Sequence, residues 1–164
     1  MVKGPKTSDD VYNVVSEFGE VTLGKGVVHA KDTPGFIGNR LINASGPLTF
    51  QKAMDYGLTV EDVDSLAGTL IGNAKSAYFR TQDVVGLDTA LNVMNNMFER
   101  VTTESEDERQ KFKAPELLVK LVEDGRLGQK SGAGWYKKEG KEILSLDFDT
   151  MTSDDPFENA VSNR

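Results

Sequence analysis

The sequence predicts a mainly α-helical domain, preceded by a short αβ segment and followed by a candidate C-terminal hairpin. Apolar residues recur at three- and four-residue spacing through most of the chain, as at Val11, Val14, Val15 and Phe18 or at Leu117, Leu118, Leu121 and Val122. Only one short β-branched run stands near the start, at Gly26-Val27-Val28-His29-Ala30. A glycine-rich stretch from Gly128 to Gly134 leads into Trp135-Tyr136, with Glu139-Gly140 as a turn and Glu142-Ile143-Leu144 as the return.

Taken in order, Thr7 or Ser8 can cap the first helix, because a side-chain oxygen there satisfies an orphaned amide, and Asp9 and Asp10 suit the positive end of the dipole. Gly19 is expected to end it. The run 26–30 reads as a strand for which nothing nearby offers a parallel mate. Asp32 or Thr33 can cap the next helix, with Pro34 in its first turn. Phe36, Ile37, Leu41, Ile42, Leu48, Ala53 and Met54 would form its apolar face, Pro47 would kink it near 46–47, and Gly57 would close it. Thr59-Val60-Glu61-Asp62 is a helix start, 72–80 a loop, and Thr81 or Asp83 opens a helix carrying Val84, Val85, Leu87, Leu91, Met94 and Phe98. Residues 102–113 read as a solvated connection. Pro115 begins a helix stopped by Gly125, and the stretch from Asp147 onward reads as a polar tail or linker.

Composition narrows the chemistry. The 164 residues include 26 acidic and 19 basic side chains, one histidine and no cysteine, for a net charge of −7. Cysteine-ligated zinc, iron–sulfur clusters, thiolate nucleophiles and paired-histidine metal sites are therefore excluded, so no metal is expected. The acidic balance disfavours nucleic acid and anionic membranes as partners. No apolar run approaches the roughly 18 residues of a membrane span, and the start MVKGPKTSDD has no signal-peptide core, so a cytoplasmic location is expected.

No G-x-G-x-x-G or P-loop occurs, so no cofactor-binding residue is assigned. His29 lacks a second ligand and reads as structural. Asn43-Ala44-Ser45 matches a glycosylation sequon by chance. The stretch 129–138, QKSGAGWYKK, could bind an anion through its lysines and amides, although a tight turn seating Trp135 is the simpler reading. Asn39 and Arg40 lie in an apolar helix, where polar groups are costly unless paired. They serve either a capping or interhelical hydrogen bond or a functional site, with Gly38 beside Asn39 letting something approach closely.

Residues 31–41, KDTPGFIGNRL, closely resemble the start of the C-terminal helical domain of the L-3-hydroxyacyl-CoA dehydrogenase family. Two further motifs follow in the right order, DVVGLDT at 83–89 and LGQKSGAGWY at 127–136. The resemblance implies a helical bundle of the 6-phosphogluconate-dehydrogenase C-terminal type over 32–138, the tail end of an NAD-binding domain over 1–31, and a tail or linker over 139–164. It implies an enzyme that oxidises L-3-hydroxyacyl-CoA to 3-ketoacyl-CoA with NAD in fatty-acid β-oxidation. A His–Glu pair on an upstream Rossmann domain would do the acid–base chemistry, and the helical domain would close over the acyl-CoA and form a homodimer.

Of the family's active-site residues only Asn39 carries over, as the amide that orients the substrate oxygen; His29 is not the family's base. NAD would be bound by the missing domain, so this chain alone is expected to be inactive and to have no NAD affinity. The stretch 71–80, IGNAKSAYFR, departs from the commoner family pattern and suits a longer branch with a further domain downstream. The strand at 26–30, short of its sheet, would pair with another copy. The alternative is a non-catalytic helical dimerisation or scaffold module.

Overall fold

The structure, a computed structural model, describes residues 1–101 and 105–148, and the expected tail beyond 148 lies outside them. The chain divides into two compact units, Met1–Ile42 and Asn43–Arg164.

In the first unit, helix α1 (Asp9–Glu17) is capped by Ser8, whose Oγ accepts the Val11 N–H at 3.4 Å, with Asp9 and Asp10 in its first turn. Gly19 does not end it. The chain continues through a π-helical turn, Phe18–Thr22, and stops where Gly24 takes a left-handed φ of 59°. A side chain at Gly19 would meet Val27 Cγ2 at 2.9 Å, so this glycine permits close approach rather than termination. The run 26–30 finds the parallel mate that the sequence reading lacked: Val2 bridges Ala30, and the Ala30 N–H donates to the Met1 carbonyl at 2.7 Å. The pairing is one isolated bridge, not a strand. The stripe of Val11, Val14, Val15 and Phe18 is exposed.

Helix α2 (Gly38–Asp55) starts later than Pro34 suggested, because Gly35 and Phe36 adopt φ of 75° and 47°, which no α-helix contains. Its buried residues are Asn43, Gly46 and Ala53, whereas Leu41, Ile42, Leu48 and Met54 are exposed. The inward face therefore carries few of the large aliphatic residues expected there. A side chain at Gly46 would stand 2.9 Å from the Tyr78 hydroxyl and 3.2 Å from Met94 Cε.

In the second unit, Thr59 and Asp62 form a capping box that starts α3 (Val60–Leu66). A short 3₁₀ turn, Thr69–Ile71, follows. The helix expected from 81 to 98 is two helices, α4 (Phe79–Val85) and α5 (Leu87–Arg100), broken where Gly86 takes φ 102°. The charged connection contains α6 (Glu106–Gln110), and it is not wholly solvated: Phe112 is buried with Met97 and Val101. Helix α7 (Glu116–Glu123) follows Pro115, and Gly125 turns the chain with φ 75°. A 3₁₀ turn at Gln129–Ser131 leads to the hairpin β1 (Tyr136–Glu139) and β2 (Glu142–Ser145), paired antiparallel with Tyr136 opposite Ser145.

The main core joins Val60, Phe79, Leu87, Leu118, Leu121, Trp135 and Leu146. Phe79 and Trp135 lie 4.6 Å apart by ring centroids, and Phe50 and Phe148 extend the aromatic cluster at its edge. The compact unit thus runs past residue 138, with Ser145 and Leu146 buried in it. The mainly α-helical class and the hairpin are both observed among the described residues.

Candidate functional site

Asn39 occupies the first turn of α2 and is exposed. An exposed amide there bears little desolvation cost. The positive φ of Gly35 and Phe36 re-aims the chain just before the helix, and the Arg40 N–H reaches back to the Gly35 carbonyl at 3.3 Å. Beside Asn39, a side chain at Gly38 would meet nothing within 4 Å, so access to this turn is open.

The other candidates resolve into structural roles. His29 Nδ1 and the Tyr12 hydroxyl lie 2.6 Å apart, with the rings tilted against each other. Asn43 is buried inside α2, where no glycosyl group could reach it. In the 129–138 stretch, Lys130 Nζ is 2.5 Å from Asp88 Oδ1, and Ser131 Oγ accepts the Leu127 N–H at 2.7 Å. That loop is tied to its own fold, and Trp135 is seated in the core as the simpler reading requires. No group of three or more potential metal ligands occurs among the described residues.

Sequence reasoning missed a polar cluster of the second unit built around Asp64 and Asp83. Asp83 does not open a helix, although it was one of the two positions the sequence offered for that role. It is instead the buried acid of α4, with one oxygen accepting the Trp135 N–H and the other the Tyr136 N–H, each at 2.9 Å. Burial pushes its carboxyl up to about 6, against the pull of those two amides. The cap of α4 comes from another helix. Asp64 on α3 accepts the amides of Tyr78, Phe79 and Arg80 at 3.0, 2.6 and 3.1 Å, and the Tyr136 hydroxyl donates to it at 2.9 Å.

Burial raises the Tyr78 phenol to about 12 and pushes the Tyr136 phenol up as well, the latter helped by the nearby Asp64 charge. Glu61 bonds Ser145 Oγ, and Trp135 Nε1 donates to Gln82 Oε1 at 3.0 Å. The overlooked signal was spacing. Asp64 is four residues after Val60, and Asp83 four after Phe79, so both acids stand on apolar stripes, where a carboxylate needs donors.

The profile of the 3-hydroxyacyl-CoA dehydrogenase C-terminal domain matches residues 35–138. The chain belongs to that family. It is 46% identical over 147 residues to a probable 3-hydroxyacyl-CoA dehydrogenase of Bacillus subtilis, covering 90% of this chain and 18% of the relative. A probable 3-hydroxyacyl-CoA dehydrogenase of Deinococcus radiodurans is 44% identical over 146 residues, covering 88% of this chain and 40% of the relative. Among solved structures, the (S)-3-hydroxybutyryl-CoA dehydrogenase of Ralstonia eutropha superposes with a TM-score of 0.69 at 26% identity, over 85% of this chain and 46% of that one. The chain thus spans less than half the length of these 3-hydroxyacyl-CoA dehydrogenase relatives. No helix among the described residues is long and apolar enough to cross a membrane.

Proposed function

We propose that this chain is the substrate-binding and dimerisation region of an enzyme that oxidises L-3-hydroxyacyl-CoA to 3-ketoacyl-CoA with NAD, in fatty-acid β-oxidation. The observation that carries the reading is the family motif at 35–41 with Asn39 displayed on an open first turn of α2. There the amide can hydrogen-bond a thioester or hydroxyl oxygen and hold it in the reacting geometry. The helical bundle type is the 6-phosphogluconate-dehydrogenase C-terminal one. Exposed Leu48, Leu66, Leu70 and Ile71 support a homodimer, since apolar side chains of this size are normally covered.

The residues present do not fit NAD. The sequence has no G-x-G-x-x-G, and of its paired glycines Gly134 is pressed against Asp83 rather than open to a pyrophosphate. In this reading the cofactor and the acid–base pair belong to another domain, for which the greater length of the relatives leaves room.

The test is Asn39→Ala in the full-length protein, followed with acetoacetyl-CoA and NADH. Loss of one orienting hydrogen bond is expected to lower kcat/KM by roughly 10- to 100-fold, about 1.4–2.7 kcal/mol. Unchanged kinetics would remove Asn39 from the site. The 164-residue chain alone is expected to give no turnover, and turnover would refute the division of labour proposed here.

A further inference from the structure

The loop that leads into α2 carries two consecutive residues with left-handed backbone, Gly35 and Phe36, and its turn accounts for only the first. Thr33-Pro34-Gly35-Phe36 closes as a tight turn, with the Phe36 N–H donating to the Thr33 carbonyl at 3.0 Å. Gly35 supplies the φ of 75° that such a turn needs after proline. Phe36 then takes φ 47°, a region that bulky side chains adopt reluctantly because the Cβ crowds the following carbonyl. Burial of the ring does not offset that strain, since Phe36 remains 51% exposed and its neighbour Ile37 43%.

On the role given above to Asn39, on which this inference rests, we propose that Phe36 is a specificity-determining residue: its ring meets the hydrocarbon part of the acyl chain while Asn39 holds the oxygen at the reacting end.

A strained, half-exposed aromatic ring is not explained by local conformation, because a glycine or asparagine at 36 would take the same φ at lower cost. What it meets follows from its place. Phe36 stands three residues before Asn39, and the backbone around them is tied on both sides. The Arg40 N–H donates to the Gly35 carbonyl at 3.3 Å and the Leu41 N–H to the Ile37 carbonyl at 3.0 Å. Ring and amide thus belong to one fixed segment, within which a side chain at Gly38 would meet nothing within 4 Å. The substrate is divided in the same way. Its reacting end carries the oxygens, and its alkyl tail is driven from water onto apolar surface. The CoA side of the thioester bears amides and phosphates, which call for hydrogen-bond partners and cations rather than for Phe36 and Ile37.

Contact with an alkyl tail strengthens ground-state and transition-state binding alike, so its loss is read in KM rather than in kcat. The acetoacetyl group ends one carbon beyond its keto group, whereas the 3-ketodecanoyl group carries a long tail. Phe36→Ala is therefore expected to lower the ratio of kcat/KM for 3-ketodecanoyl-CoA to that for acetoacetyl-CoA on the order of 10-fold, the effect of one large apolar contact.

The experiment is NADH oxidation by the full-length protein across a series of 3-ketoacyl-CoA chain lengths, with Phe36→Ala, Phe36→Gly and Phe36→Leu beside the parent. Alanine and glycine both remove the ring, but only glycine relieves the strained φ. The expected result is a shared loss of long-chain preference in these two, carried by KM, with recovery in Phe36→Leu. If Phe36→Ala does not fold, Phe36→Gly keeps the test. An equal loss at every chain length, a loss carried by kcat, or a defect in Phe36→Ala that Phe36→Gly repairs would make Phe36 a structural residue and overturn the proposal. A parent that does not turn over chains longer than acetoacetyl would overturn it too. Asn39→Ala, run in the same series, separates the two readings. If it is impaired while the Phe36 variants keep the parent's chain-length profile, the acyl contact alone fails; if it is unimpaired, both fail.

Discussion

Gly134→Ala is expected to be far more damaging than Gly132→Ala, although the second glycine is the one with the left-handed backbone. At 134 an added Cβ would overlap Asp83 Oδ1 and stand 2.7 Å from Gly128 Cα and 2.9 Å from Asp83 Cγ. Neither side can retreat, because Asp83 is buried and Gly128 is itself packed against the Asp83 backbone. The carboxylate must leave the Trp135 and Tyr136 amides, and bonds to a charged group are worth about 1.5–3 kcal/mol each. The loss of two gives about 3–5 kcal/mol once partial relaxation is allowed, a large share of the 5–15 kcal/mol typical of a whole domain. At 132, φ is +83° but nothing lies within 4 Å, so only the backbone strain of about 1–2 kcal/mol applies. Urea denaturation followed by the fluorescence of Trp135, the single tryptophan, measures both. Equal losses for the two variants, or less than about 1 kcal/mol for Gly134→Ala, would refute the close-approach reasoning.

Other outcomes follow from the packing around Asp83 and from the α3 cap. Asp64→Asn keeps the size of the side chain but removes the charge from three helix-start amides and the Tyr136 hydroxyl, and should cost about 2–3 kcal/mol in urea unfolding. Thr59→Ala should cost about 1 kcal/mol in the same measurement, by opening the capping box. Hydrogen bonds from Thr59 hold the Asp62 carboxyl below its ordinary value, so its contribution is present above about pH 4 and fades as pH falls through the folded value. A thermal-melt series from pH 6 to 3 should therefore lose less stability in Thr59→Ala than in the parent.

What was legible in the sequence was what local rules govern. Thr59 announced its cap, Gly140 its hairpin turn and Gly57 its helix end, because each acts on residues within a few positions. What was not legible depended on distant partners. Gly86 breaks a helix that its apolar spacing continues, since Val84, Leu87 and Leu91 fit one period whether or not φ changes sign between them. The apolar face assigned to α2 holds only at Ala53: Gly46 lets α2 pack closely against Tyr78 and Met94, so Leu41, Ile42, Leu48 and Met54 are left exposed. Phe112, alone in a charged stretch, has no local rhythm and is placed by Met97 and Val101.

The three motifs that carried the family resemblance do different work. DVVGLDT and LGQKSGAGWY, some 40 to 50 positions apart, are the two halves of one joint. Asp83 meets the Trp135 and Tyr136 amides, the Leu87 N–H donates to the Leu127 carbonyl at 3.2 Å, and Asp88 takes Lys130. Changing either half alone strands a buried carboxylate or collides a glycine, so the halves must persist together whatever the enzyme acts on. Their presence therefore speaks for the fold of the helical unit and says little about chemistry. The motif at 35–41 is the opposite case: Asn39 is exposed on the first turn of α2, and Gly38 leaves the space beside it open. A polar residue displayed at an open helix start can reach a ligand outside the chain, whereas a buried acid saturated by backbone amides cannot. That contrast, more than the length of the match, is why Asn39 rather than Asp83 is the residue on which the substrate hypothesis stands.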